Sequence, residues 1–175
     1  MTRTRSDLSR SMEDMSLLPI GRVENEFKEP SLMLRDGELN REGQVDHSHR
    51  DMVSRIVIDE RFQEALEGVE DFSHLLVIYW TGCRTTETLK VHPAGQRDLA
   101  PKGIFSTRSP ARPNPLAVTT VELLGREGNV LTVKGLDAID GSIVVDIKIH
   151  LPGFDAPEGV KLADWMVDLQ GRFGD

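Results

Sequence analysis

The sequence predicts a mainly β domain, a small antiparallel barrel or sandwich with one or two short helices. Three observations carry that expectation. Short runs of β-branched and aromatic residues recur along the 175 positions. Turn-forming residues separate them at close intervals. The strand–helix alternation that builds a parallel sheet is absent.

The elements follow in order. The polar opening, MTRTRSDLSRSMEDMS, has no apolar stretch of the kind a secretory signal carries, so residues 1–16 are expected to be a disordered tail before one domain over 17–175. Leu17 to Glu24 (LLPIGRVE) reads as a first strand. Asn25 to Met52 is polar and irregular, long for a loop in a compact domain, and holds His47 and His49. Val53 to Ile58 resumes a strand pattern. Glu60 to Glu67 predicts a short helix: Phe62, Ala65 and Leu66 share one face, and Gly68 stands where a helix-ending glycine belongs. His74 to Trp80 (HLLVIYW) is continuously apolar and predicts a buried strand, with His74 a hydrogen-bonded core histidine. Ala117 to Leu124 alternates, with Thr119, Val121 and Leu123 on one face. Glu127-Gly128-Asn129 turns the chain into Val130–Val133 as a hairpin. Ile143 to Ile149 alternates again, with Val145, Ile147 and Ile149 inward and Asp146 and Lys148 outward. Leu162 to Phe173 predicts a terminal helix, with Leu162, Trp165, Met166 and Leu169 along one side.

Composition narrows the function. The net charge is −8 and the pI is about 5.1, which argues against coating nucleic acid through charge alone. The charge is uneven, however. Arg84 to Arg112 holds six basic residues against two acids. A local basic surface on an acidic body suits one anionic ligand or a short stretch of RNA. No apolar run approaches the roughly 18 residues of a membrane-spanning helix, so no membrane partner is expected. Cys83 is the single cysteine, which excludes a disulfide framework and a cysteine-based zinc cluster, and it reads as inert. His47 and His49 lack a third ligand and read as solvated loop histidines, so no metal is expected. A reducing cytoplasm is the expected compartment. No GxGxxG after a strand, Walker motif, HExxH or GxSxG is present.

Two stretches concentrate chemistry. Gly103 to Pro115 (GIFSTRSPARPNP) carries three prolines in six residues, which exclude a helix or central strand and predict a stiff, extended loop. On it sit Arg108, Ser109, Arg112 and Asn114, all donors. Two guanidinium groups on a rigid loop can hold a carboxylate, phosphate or carbonyl. Gly135 to Lys148 (GLDAIDGSIVVDIK) brackets a turn with Asp137 and Asp140, and places Asp146 and Lys148 on one strand face. Carboxylates in that pattern can act as acid or base, bind a cation or accept from ribose hydroxyls, and they also serve as ordinary turn and surface residues.

The run GIFSTRSPARPNPLAVTTVELLGREGNVLTVKGLDAIDGSIVVDIKIHLP closely resembles the signature region of the TsaA-like family, also called TrmO-like. PIGRVENEFKEP, RFQEALEGVEDFSHLLVIYW and HPAGQRDLAPKG resemble the same family in order, so the likeness runs from about Leu18 to Pro152. It implies a small β-barrel that binds S-adenosylmethionine, a homodimer with the cofactor near the subunit boundary, and methylation of N6 of threonylcarbamoyl-adenosine beside a tRNA anticodon. By position it places cofactor contacts on Arg108, on Leu116 and Val118 after the proline run, and on Asp137, Ala138, Ile139 and Asp140. Gly82 and Cys83 stand where family members carry a cofactor-contacting histidine. Arg108 or Arg112 would meet the ligand's carboxylate, Arg112 and Asn114 face the substrate side, and His92 stands at the edge of the site. Asp140, Asp146 and Lys148 are candidates for the base that takes the acceptor's proton. Members that act on tRNA carry a further C-terminal domain, and none is expected after Asp175. Three functions follow: a tRNA adenosine N6-methyltransferase, a methyltransferase of the same fold for a small molecule or protein, and a non-catalytic ligand-binding barrel.

Overall fold

A computed structural model describes residues 16–28, 34–35, 38–39, 48–82 and 86–173. The expected tail lies almost wholly outside them, as do His47, Cys83 and most of the irregular segment after Asn25. Among the described residues ten strands are present: β1 (Gly21–Glu24), β2 (Leu34–Arg35), β3 (Glu38–Leu39), β4 (Val53–Ile58), β5 (His74–Trp80), β6 (Lys90–Val91), β7 (Lys102–Gly103), β8 (Leu116–Glu127), β9 (Val130–Lys134) and β10 (Ile143–Ile149). Six of them close into a barrel in the order β1, β10, β5, β8, β9, β4, and every pairing is antiparallel. Closure leaves these strands without a free edge.

Alternation builds the core. Leu75, Val77 and Tyr79 on β5 point inward, between the half-exposed Leu76, Ile78 and Trp80. Val121 on β8, Leu131 and Val133 on β9, Ile56 on β4, Val23 on β1 and Val144 on β10 join them, all fully buried. Each such side chain contributes about 1.5–3 kcal/mol through burial. The continuous apolar run of β5 is therefore two-sided, with only alternate residues in the core. Gly21 lets β1 pack tightly, since a Cβ there would stand 2.5 Å from the carbonyl oxygen of Val57.

Several sequence expectations need correction. The first strand is shorter and begins at Gly21, with Leu17 and Leu18 exposed. The helix after β4 is a 3₁₀ helix over Glu60–Leu66, in which Leu66 is buried, Phe62 half-buried and Ala65 exposed. Gly68 does adopt the left-handed conformation, with φ 80°. On β10 the register against β5 shifts between Val144 and Asp146. That bulge turns Val144 inward and Val145 outward, while Ile147 and Ile149 keep their inward side. His74 is exposed at the strand end, where its Nδ1 meets Ser73 Oγ at 2.9 Å, so it is no core residue.

Outside the barrel, β2 pairs with β3 and β6 with β7. A single turn, α1 (Pro152–Asp155), precedes α2 (Asp164–Phe173). Leu162 stays exposed before α2 begins, whereas Leu169 is buried and Trp165 and Met166 are half-buried. Lys102 Nζ lies 5.7 Å from the centre of the Trp165 ring, and Arg172 pairs with Asp98 at 2.7 Å. The terminal helix is thus docked on the segment that leads into the proline-rich loop. No helix among the described residues is long and apolar enough to cross a membrane.

Candidate functional site

Four elements converge at the Trp80 end of β5. That strand brings Tyr79, β8 brings Val118 and Thr119, the turn after β9 brings Asp137, and the loop before β8 brings Arg108. Tyr79 Oη donates to Asp137 Oδ1 at 2.8 Å. Thr119 Oγ1 donates to the same oxygen. Both hydroxyls thus engage one oxygen, and Asp137 Oδ2 is left outside the pair while the residue is exposed. Arg108 Nη2 donates to the Val118 carbonyl at 2.7 Å. Burial pushes the Tyr79 phenol above its ordinary pKa, the Asp137 charge adds to the rise, and Thr119 and Arg108 oppose it. The Tyr79 hydroxyl is therefore a fixed donor at neutral pH.

The rest of the Asp137–Asp140 segment is tied to the chain just after β1. Asn25 Nδ2 donates to the Ala138 carbonyl at 3.0 Å and to Ser54 Oγ at 2.9 Å, and Ser54 is buried. Asp140 accepts from the Asn25 amide at 3.0 Å and pairs with Lys28 Nζ at 2.5 Å. Its own amide donates to the Phe27 carbonyl at 2.7 Å. Lys28, and after it the Asn25 amide, hold the Asp140 carboxyl below the usual range. Ile139 accepts from the Ser142 amide, which closes the turn into β10. The anchoring role of Asn25–Lys28 left no mark in the sequence, because its partners lie more than a hundred positions away.

Arg112 is turned into its own loop. Its Nη2 donates to the carbonyls of Ile104 and Thr107, both at 3.0 Å, and its Nε is buried with no hydrogen-bond partner among the described residues. Asn114 is exposed and, with Leu116, Trp80, Leu17 and Val145, borders a groove of about 380 Å³ on the outer wall. A wider hollow of about 530 Å³ is lined by Lys161 to Trp165 alone, none of them a candidate residue. Gly82 follows β5 with φ 76°. His92 Nδ1 donates to the Leu99 carbonyl at 2.8 Å, which fixes the ring's tautomer.

Asp146 and Lys148 pair with each other at 2.6 Å. They stand opposite Ile78 and Leu76 on β5, hence on the outer face of the wall that turns Tyr79 inward. The structure thus brings together Arg108, Val118 and Asp137, with Ala138, Ile139 and Asp140 continuing from them. It sets Asp146 and Lys148 apart. Tyr79 and Thr119 join the candidate site through Asp137 and were not among the candidate residues the sequence singled out. Their only signal was the inward alternation of two strands. No group of three histidine, cysteine, aspartate or glutamate residues able to hold a metal occurs among the described residues.

The profile of the tRNA-methyltransferase O N-terminal domain family matches residues 27–156. An S-adenosyl-L-methionine-binding protein of Archaeoglobus fulgidus is 38% identical over 141 residues, covering 81% of this chain and 93% of its own length. A tRNA (adenine(37)-N6)-methyltransferase of Mus musculus is 34% identical over 118 residues, covering 66% of this chain and 27% of the mouse protein. Among solved structures, TrmO from Pseudomonas aeruginosa superposes with a TM-score of 0.65 at 26% identity, over 89% of this chain and 63% of that one. The chain therefore spans about three-fifths of the solved TrmO chain.

Proposed function

The chain belongs to the tRNA-methyltransferase O N-terminal domain family, and from that membership we propose that it is an S-adenosylmethionine-dependent methyltransferase acting on a tRNA adenosine. The observation that carries the reading is the convergence of Arg108, Tyr79, Thr119 and Asp137 at one end of the barrel. The donor set suits the ligand. S-adenosylmethionine has a carboxylate, an ammonium group, a sulfonium cation and ribose hydroxyls. Arg108 suits the carboxylate, and the exposed Asp137 carboxylate suits a cation or a hydroxyl pair. The backbone of Ala138 to Asp140, braced by Asn25 and Lys28, offers a rigid wall beside them.

S-adenosylmethionine, when bound, supplies a methyl carbon activated by its sulfonium centre. The contribution of this chain is alignment. Tyr79 and Thr119 orient Asp137. Val118 holds Arg108 in place through its carbonyl. Asp140 acts as a positioning residue, since its carboxylate is occupied by Lys28 and the Asn25 amide. Asp146 and Lys148 neutralise one another on the outer wall and keep a surface role. The finer proposal is that the acceptor is N6 of threonylcarbamoyl-adenosine beside the anticodon, in a cytoplasmic tRNA, and that the working unit is a homodimer. The apolar groove beside Trp80 and Leu116 suits a second copy. The net charge of −8 favours one other reading, a small-molecule acceptor on the same fold.

Calorimetric titration with S-adenosylmethionine and S-adenosylhomocysteine tests the cofactor site, and micromolar affinity is expected. No binding by either removes the methyltransferase reading. Incubation with tRNA followed by nucleoside mass spectrometry tests the acceptor. A methylated adenosine is expected, whereas cofactor binding with no salt-sensitive tRNA binding turns the reading to the small-molecule acceptor.

A further inference from the structure

Phe105 is 82% exposed, although it sits on a turn held by several hydrogen bonds. Ile104, its neighbour, is buried at 2% and fastens the turn to the body, with its amide donating to the Leu89 carbonyl at 3.1 Å. The turn is then closed from within. Ser106 Oγ donates to Gly103 O at 2.7 Å, and Thr107 Oγ1 to Ile104 O at 2.9 Å. Arg112 Nη2 reaches the carbonyls on both sides of Phe105 and Ser106. The Phe105 ring thus stands out from a turn whose backbone is fixed on both sides of it. Leu89, 63% exposed, lies on the segment bonded to the same turn, and Lys90 is exposed opposite Gly103. Arg108 follows three positions along the loop.

We propose that Phe105 is a stacking platform for an unpaired RNA base, the contact by which the Arg108 loop takes hold of its tRNA. This rests on the tRNA reading above and deepens it. An aromatic face held outward among cations is the means by which proteins seize unpaired bases, because every base offers a π-face and the adjoining phosphates meet the positive charge. Lys90, exposed on the strand paired with Gly103, and Arg108, exposed on the same loop, supply that charge on an otherwise acidic protein. Preorganisation matters here too, since Phe105 loses little freedom when a base covers it.

The test uses the full chain, bulk deacylated tRNA and an anticodon stem-loop RNA carrying 2-aminopurine in the loop. The parent quenches the 2-aminopurine fluorescence on binding. Phe105→Ala weakens tRNA binding about tenfold and abolishes the quench, and Phe105→Trp restores both. S-adenosylhomocysteine affinity, measured on the same preparations, stays that of the parent and certifies the fold. If the parent binds tRNA and Phe105→Ala binds it equally, the platform is wrong and the tRNA reading stands. If the parent binds no tRNA, both fall. If Phe105→Ala changes the sedimentation of the free protein and leaves the quench intact, the ring packs against a second copy instead and the proposal is overturned.

Discussion

Tyr79 donates its phenolic hydrogen to Asp137 across 2.8 Å, although 58 positions separate the two residues in the chain. One residue comes from the interior of the barrel and the other from an exposed turn. The bond therefore couples the core to the site, and Tyr79 is the only tyrosine in the sequence. Its ionisation can be read alone, by absorbance near the phenolate band. Burial first, and the Asp137 charge second, hold the phenol above the ordinary tyrosine range near 10. In the folded protein the phenolate is expected only well above that range. Asp137→Asn removes the charge and lowers the midpoint. A tyrosine titrating normally in the folded state would sink this account. The sign for stability follows. The raised folded pKa gives a contribution that is fully present below about pH 10 and is lost as pH rises through the folded value.

The same bond orients the carboxylate. Tyr79→Phe leaves Thr119 on Asp137 Oδ1 but frees the carboxylate to turn. A hydrogen bond to a charged group contributes about 1.5–3 kcal/mol, and Thr119 retains part of that here. S-adenosylhomocysteine affinity is expected to fall about fivefold, with stability down by roughly 1 kcal/mol. Unchanged affinity by calorimetry would place the ligand away from Asp137.

Arg108 is exposed, and its bond to the Val118 carbonyl is a local brace. Arg108→Ala is expected to move thermal stability by less than about 0.5 kcal/mol. Its effect on S-adenosylhomocysteine is expected to be at least tenfold, the loss of a charge-assisted contact. Arg108→Lys recovers little, because an ammonium group does not reproduce the planar fork. A variant that binds the cofactor as well as the parent would remove Arg108 from the site.

The barrel was legible because alternation reports a half-buried strand directly. Thr119, Val121 and Leu123 were assigned one face and occupy it. The loop carrying Arg108 was legible from its prolines, although Gly103 pairs in β7 and Ile104–Ser106 winds a 3₁₀ turn before the first of them instead of staying extended. The misses share a physical cause. Val145 was read inward because period two was extrapolated through a bulge, and a bulge depends on the partner strand's register. Asp140 was one of three candidates for the base, and the Lys28 and Asn25 groups that occupy its carboxylate reach it only after the barrel has closed. Tyr79 lies in the run expected to be a buried strand, and it is buried, but its polar end could be assigned only once Asp137 was seen beside it.

The Lys28–Asp140 pair predicts an acid-dependent effect. The folded pKa of Asp140 lies below its unfolded value, so the pair's contribution is present above about pH 4 and fades as pH falls through the folded value. Asp140→Asn is therefore less stable than the parent at pH 6, and the difference narrows at pH 3. Denaturant midpoints at the two pH values decide it. A gap that stays constant would mean that the carboxylate's charge plays no part. Hydrogen exchange at the Asn25 amide, which donates to Asp140, should quicken in the same variant.

Two glycines separate tight packing from mere permissiveness. At Gly21 an added Cβ would meet the Val57 carbonyl oxygen at 2.5 Å and the Ile58 Cα at 3.0 Å. Both are backbone atoms of the neighbouring strand, paired in register with β1, so neither can yield without parting the two. At Gly125, beside the register shift of β8, an added Cβ would meet nothing within 4 Å. Gly21→Ala is expected to cost about 2–3 kcal/mol, lowering Tm by roughly 4–12 °C, with the heat-unfolding transition still cooperative. Gly125→Ala is expected to fall within about 0.5 kcal/mol of the parent, and a slight gain is consistent with a less flexible unfolded chain. The pair of calorimetric scans is informative together. Equal effects would mean that β1 does not press on β4 as closely as the register requires. The larger loss at Gly21 ties the stability of the barrel to the strand that leads into Asn25 and Lys28, the brace behind Asp137–Asp140.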